Sequence, residues 1–168
     1  MRTEPWKLIF IGGILTIVSL LLPAHMGGVI SDSYSDDNYY WILGFILKFR
    51  NGSLYRAYWF VNPTFLILLI WNIGSLISGS LILIFSSFLI LYAVDIKKRG
   101  IVMKKYTQIF NVLLFLTASY SVIFTSFWAI PVYGSLSLIT GTVLIMIGMR
   151  KIRVIDLSNK EFKTEGKK

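Results

Sequence analysis

The sequence predicts an all-α integral membrane protein: a four-transmembrane-helix bundle with an extracytoplasmic loop and a short interfacial helix between the first two spans. Three observations predict it. The chain of 168 residues is 55% hydrophobic and only 15% charged, with a mean hydropathy of +0.70; ordinary soluble domains run about 45–50% and about 25%. Four long stretches carry no Asp, Glu, Lys or Arg. The 17 Lys and Arg fall in short clusters between those stretches. So apolar a chain is not disordered. Its net charge of +9 reads as membrane topology rather than a nucleic-acid surface, because the cations flank apolar runs instead of forming a stripe.

The first span, about 7–29, follows Arg2 and Lys7 and is slowed by Pro23. A cleaved leader is the alternative for this segment, but Leu22 and Ala24 make a poor small-x-small site, so a retained span is expected. The second span, about 64–94, would reach about 46 Å at 1.5 Å per residue, against a hydrocarbon core of about 30 Å. Either it tilts or its Asn62-Pro63 end projects, with proline suiting the first helical turn. The third span, about 106–128, and the fourth, about 132–149, meet in a tight turn around Ile130-Pro131-Val132-Tyr133-Gly134. Trp128 and Tyr133 flank that turn as interfacial aromatics. Residues 1–150 therefore form one membrane domain, and 151–168 a polar tail expected to be mobile past Asp156.

Orientation follows from the cations. With the N-terminus inside, 14 of the 17 Lys and Arg are cytoplasmic, leaving Lys48, Arg50 and Arg56 outside. The positive-inside bias then puts both termini in the cytoplasm, the 95–105 loop inside, and the loop of about 30–62 outside. Lys97, Lys98, Arg99, Lys104 and Lys105, with Arg150, Lys151 and Arg153, face anionic headgroups in this arrangement.

Helices in lipid associate through small residues and occasional polar contacts. Each span carries them near seven-residue spacing: Gly12 and Ser19 with Thr16; Asn72, Gly79 and Ser86; Asn111, Ala118 and Thr125; Gly134, Gly141 and Gly148. A heptad period implies left-handed packing at small crossing angles. These residues are assigned to helix packing, with Asn72 and Asn111 as interhelical hydrogen-bonding groups. A stripe lining a water-filled path is the functional alternative.

No charge lies inside any span, which disfavours proton relays, coupled transporters and voltage sensors. Zero cysteines exclude thiol nucleophiles, disulfides and thiolate metal centres. His25 is the lone histidine, and the run Ser31-Asp32-Ser33-Tyr34-Ser35-Asp36-Asp37-Asn38 offers oxygen ligands without the spacing of a calcium loop. A solvated loop is expected, with no metal, cofactor or catalytic residue assigned. A short interfacial helix is expected over Tyr39–Arg50. Its aromatics and those after it, Trp41, Phe45, Phe49, Tyr58, Trp59 and Phe60, make a candidate outer interaction surface. Asn51-Gly52-Ser53 has the form of a glycosylation acceptor.

The arrangement of four helices, a large first outer loop and a tight second one resembles the tetraspan layout of claudin-type proteins. The resemblance is topological: that family's outer-loop Trp, Gly-Leu-Trp and paired cysteines have no counterpart beside Trp41 and Trp59, so no residue role is carried over. The functional expectation is a small non-enzymatic accessory or scaffold subunit, in contact with membrane lipid and with other membrane proteins or further copies of itself. The alternatives are an oligomeric passive channel or small-solute carrier, and an interfacial enzyme using His25 and an aspartate.

Overall fold

The computed structural model describes residues 4–30, 35–42, 46–58, 66–99, 105–126, 130–131 and 133–165. Four helices carry most of the chain: α1 (Pro5–Leu21), α2 (Leu66–Arg99), α3 (Lys105–Ser126) and α4 (Tyr133–Glu165). A small sheet sits at one end of them, built from β1 (His25–Ile30), β2 (Ser35–Tyr40), β3 (Ile46–Arg50), β4 (Ser53–Tyr58) and β5 (Ile130–Pro131). Its strands run in the order β4-β3-β2-β1-β5, antiparallel throughout.

Each helix begins or ends for a local reason. Pro5 occupies the first turn of α1, where a missing N–H costs nothing, and Pro23 bars its continuation. Three cations, Lys97, Lys98 and Arg99, close α2 against the negative end of its dipole, and Arg99 pairs with Asp95 at 2.9 Å. Beyond Gly148, α4 meets no glycine or proline until Gly166, so nothing in its sequence stops it.

The buried faces follow a heptad on all four helices. On α4 the sequence Gly134, Leu138, Gly141, Ile145, Gly148, Ile152 alternates small and large at steps of four and three, and all six are buried. On α2 the same steps give Gly79, Ile82, Ser86, Leu89, Ala93 and Ile96, and on α1 Ile9, Gly12, Thr16 and Ser19. α1 packs most extensively on α4, then on α2; α2 packs on α3, and α3 meets α4 only loosely. Small residues let the α1 and α4 backbones approach. A Cβ built on Gly141 would lie 2.7 Å from Gly12 O, and one on Gly12 would lie 2.5 Å from Gly141 O. The intervening large residues fill the space between these contacts. Thr16 and Ser86 share a 2.7 Å hydroxyl contact between α1 and α2, while Ser137 donates to Leu15 O across α1 and α4.

Several boundaries depart from expectation. The first span of about 7–29 is helical only to Leu21, and its last third is strand β1. The short helix expected over Tyr39–Arg50 does not form: its ends are strands β2 and β3. The polar tail after 150, expected to be mobile past Asp156, continues α4 to Glu165, and the 95–105 loop is helical through Arg99. The reasons are local in the last case and tertiary in the others, where strands gain their hydrogen bonds only from one another.

Candidate functional site

The sheet is where chemistry-bearing residues converge. Its construction starts with a turn: Asn51 and Gly52 have φ of 48° and 78°, the left-handed pair that a two-residue hairpin between twisted strands demands. Arg50 pairs with Ser53 across it, and Asn51 is held by Ser35 through both its backbone and its side chain, which accepts from Ser35 N at 3.0 Å. A register shift between Lys48 and Phe49 bends the β3–β4 ladder.

Alternation then sorts the strands into two faces. One face carries His25, Asp36, Asn38, Lys48 and Arg50. Asp36 is buried and receives Lys48 Nζ at 2.7 Å, Arg50 Nε at 2.9 Å and a second Arg50 nitrogen at 3.3 Å. Those hydrogen bonds hold its carboxyl near pKa 2, below the ordinary carboxylate value. The depressed pKa means that the pairing stabilises the fold above the normal carboxylate range and is lost as pH falls toward about 2. Asp36→Asn should therefore lower the thermal unfolding temperature at pH 7, with the difference from wild type closing toward pH 2. An equal unfolding temperature at pH 7 would remove the cluster from any stabilising role.

His25, also buried, joins the sheet to α4. Its Nε2 lies 3.3 Å from Ser135 Oγ, which itself donates to Ala24 O at 2.8 Å. With the serine proton on the carbonyl, Nε2–H is the donor toward Ser135. Burial holds the imidazole neutral, lowering its pKa to about 4. Gly134 N donates to Pro23 O, and Ala24 N to Tyr40 O, so the start of α4, the end of α1 and the sheet are tied at one knot.

Among the described residues no triad assembles around His25. His25 pairs in register with Tyr40, four residues along β2 from Asp36, which is about 13 Å of strand. Asp36 faces cations instead. Among the described residues no group of three His, Cys, Asp or Glu stands close enough to hold a metal ion.

The other face is aromatic. Tyr39, Trp41, Leu47 and Phe49, with Asp37 and Gly52, line an open groove of about 420 Å³. Tyr39 and Phe49 meet edge to face at 5.6 Å, and Trp41 Nε1 donates to Leu21 O at the end of α1. The donor of Trp41 is thereby used while its ring stays half exposed. Of the expected outer aromatics, Trp41 and Phe49 therefore share one groove. Phe45, Trp59 and Phe60 lie outside the described residues, as does the side chain of Tyr58.

The residues assigned to packing are distributed as follows. Gly12, Ser19, Gly79, Ser86, Ala118, Gly134, Gly141 and Gly148 are buried, Gly134 against the Leu22–Ala24 backbone that follows α1. Asn111 is half-buried on α3, its Oδ1 sealed from solvent and without a hydrogen-bond partner among the described residues. The side chains of Asn72 and Thr125 lie outside what is described. Sequence reasoning passed over the Asp36–Lys48–Arg50 cluster and the His25–Ser135 contact. The signal for the first was present in Asn51-Gly52 between alternating residues, the strongest short-range sign of a hairpin. The second joins residues 110 apart and has no local signal. No protein-family model, no curated protein and no solved structure matches this chain.

Proposed function

We propose that this chain is a non-enzymatic integral membrane protein that serves as a small accessory or scaffold subunit, offering its sheet to a partner outside the membrane. Embedding is supported by what the helices expose. Ile11, Ile84, Leu91, Leu116, Ile123, Leu136 and Ile147 are all more than two-fifths exposed, an apolar belt that water does not tolerate on four helices at once. Three helices are long and apolar enough to cross a bilayer. The fourth, α1, reaches about 26 Å and is accommodated by slight thinning of the bilayer. The cation bias puts both termini inside and the sheet outside. Lys97 lies 4.9 Å over the Trp6 ring, an amphipathic anchor suited to the inner interface.

The observation that carries the functional reading is the groove of Tyr39, Trp41, Leu47 and Phe49. Half-exposed aromatics around a shallow cavity are the usual anchors of a protein interface. The bundle hydroxyls favour this reading over a channel, since Thr16 and Ser86 are buried and bonded between α1 and α2, and Ser19 and Ser78 are buried and bonded to their own helices, instead of lining a path. Native mass spectrometry of the protein extracted in mild detergent tests the proposal. A second membrane protein should accompany the wild type and be lost from a Trp41→Ala/Phe49→Ala variant whose unfolding temperature is retained. A homo-oligomer that both forms share, with flux in liposomes, would replace the subunit by the channel. Orientation is tested separately in this cysteine-free chain: a cysteine at Ser53 should react with an impermeant thiol reagent from outside, and one at Lys98 only after permeabilisation.

A further inference from the structure

The loosest seam of the bundle is not a simple gap. Between α3 and α4 an apolar groove runs from Val122 and Ile139 down to Val143 and Phe115, enclosing about 230 Å³. Val143 also lines a second and larger cavity, of about 490 Å³, whose walls further along α3 and α4 include Gln108, Arg150 and Arg153. From Ile139 to Arg153 the α4 rise is about 21 Å, somewhat more than the half-bilayer of about 15 Å that one acyl chain occupies. The excess carries the groove from hydrocarbon into the headgroup layer, and that is where the two arginines stand. Neither is paired with a carboxylate among the described residues. Asn111 lines the same cavity, one α3 turn or more above the arginines.

We infer that the α3–α4 groove is a site for one anionic phospholipid of the inner leaflet, its acyl chain lying along Val143 and its phosphate held by Arg150 and Arg153. The inference rests on the membrane reading above and gives that reading a specific ligand. Guanidinium groups bind phosphate by paired, charge-assisted hydrogen bonds. A basic pocket between helices at the cytoplasmic side is the expected place for an acidic headgroup. The groove needs an occupant in any case, because its apolar walls lose dispersion contacts if left empty.

The probes are phosphatidylglycerol, phosphatidylcholine and inorganic phosphate, each added to the detergent-extracted protein and read by native mass spectrometry. One phosphatidylglycerol should be retained per chain at activation energies that strip phosphatidylcholine. Retention should fall at least tenfold in Arg150→Ala/Arg153→Ala and remain in Lys97→Ala/Lys98→Ala, which removes an equal charge elsewhere. Val143→Trp, which fills the groove and keeps both arginines, should weaken retention as well. Competition by inorganic phosphate alone would overturn the acyl-chain assignment. Equal retention of both lipids, equal loss in the lysine variant, or a polypeptide in place of the lipid would each overturn the site. Wild-type protein that is released from membranes by alkaline carbonate would instead refute the membrane reading itself, so the two failures are distinct.

Discussion

Gly141→Leu should be the most damaging single substitution in the bundle. The new Cβ would meet Gly12 O at 2.7 Å, Thr16 Cγ2 at 2.8 Å and Thr16 N at 2.9 Å, all within α1 and two of them backbone atoms. A flexible side chain could swing aside, but a helix backbone cannot. The α1–α4 seam would have to open, stretching the Ser137 bond to Leu15 O and the Gly134 bond to Pro23 O one and two turns away. Overpacking a tight interior costs about 1–3 kcal/mol and sometimes more, out of a total stability of about 5–15 kcal/mol. The expected result is a large fall in unfolding temperature, or failure to accumulate, with Gly141→Ala intermediate. Leu136→Phe, a large residue on the exposed face of the same helix, is the control and should change little. Unchanged thermal stability and unchanged oligomeric mass in Gly141→Leu would refute the packing role of the glycine stripe.

The second large effect belongs to His25 and appears only with acid. Its folded pKa is about 4 because burial disfavours the imidazolium, while an unfolded histidine titrates near 6.5. Between those values the unfolded chain binds a proton that the folded chain refuses, so stability is complete above about pH 6.5 and declines as pH falls to about 4. The loss is on the order of 2 kcal/mol once partial solvent screening is allowed for. His25→Gln retains a donor toward Ser135 but cannot titrate. Unfolding temperatures measured from pH 7.5 to 4 should show the wild type losing ground to the variant across that window. Parallel curves would mean that His25 contributes no linkage, and that the knot joining α1, the sheet and α4 is held by the backbone bonds alone.

The two tests probe parts of the molecule that differed in legibility. The heptad of Gly134, Gly141 and Gly148 was readable because helical periodicity is local: a residue's face is decided by its own helix. What lay opposite Gly141 was not readable, since Gly12 is its neighbour only after two helices have met. At the sheet, local signals conflicted. Tyr39–Arg50 has apolar content suited to an interfacial helix, and Asn51-Gly52 was read as an acceptor site rather than as a hairpin. Strand pairing settled the matter. Asp36 finds Arg50 opposite and Lys48 two residues away only in the β2–β3 register, and β5 closes the sheet from a turn far along the chain. The apolar run of α4 ends near Met149, yet the helix continues to Glu165. Charged residues are good helix formers, and polarity alone does not end a helix.

The sequence by itself determined four apolar helices, their heptad faces and the asymmetry of cations between the two ends. Those features depend on composition and on periods of a few residues, which no partner needs to supply. Tertiary structure decided that the segment after Leu21 is a sheet, that His25 meets Ser135 instead of an aspartate, and that α3 and α4 leave a groove ending in arginines. Each of these is a pairing between distant segments. A strand's hydrogen bonds, a buried imidazole's pKa and the width of a seam are properties of two surfaces in contact, and a single stretch of sequence carries only one of them.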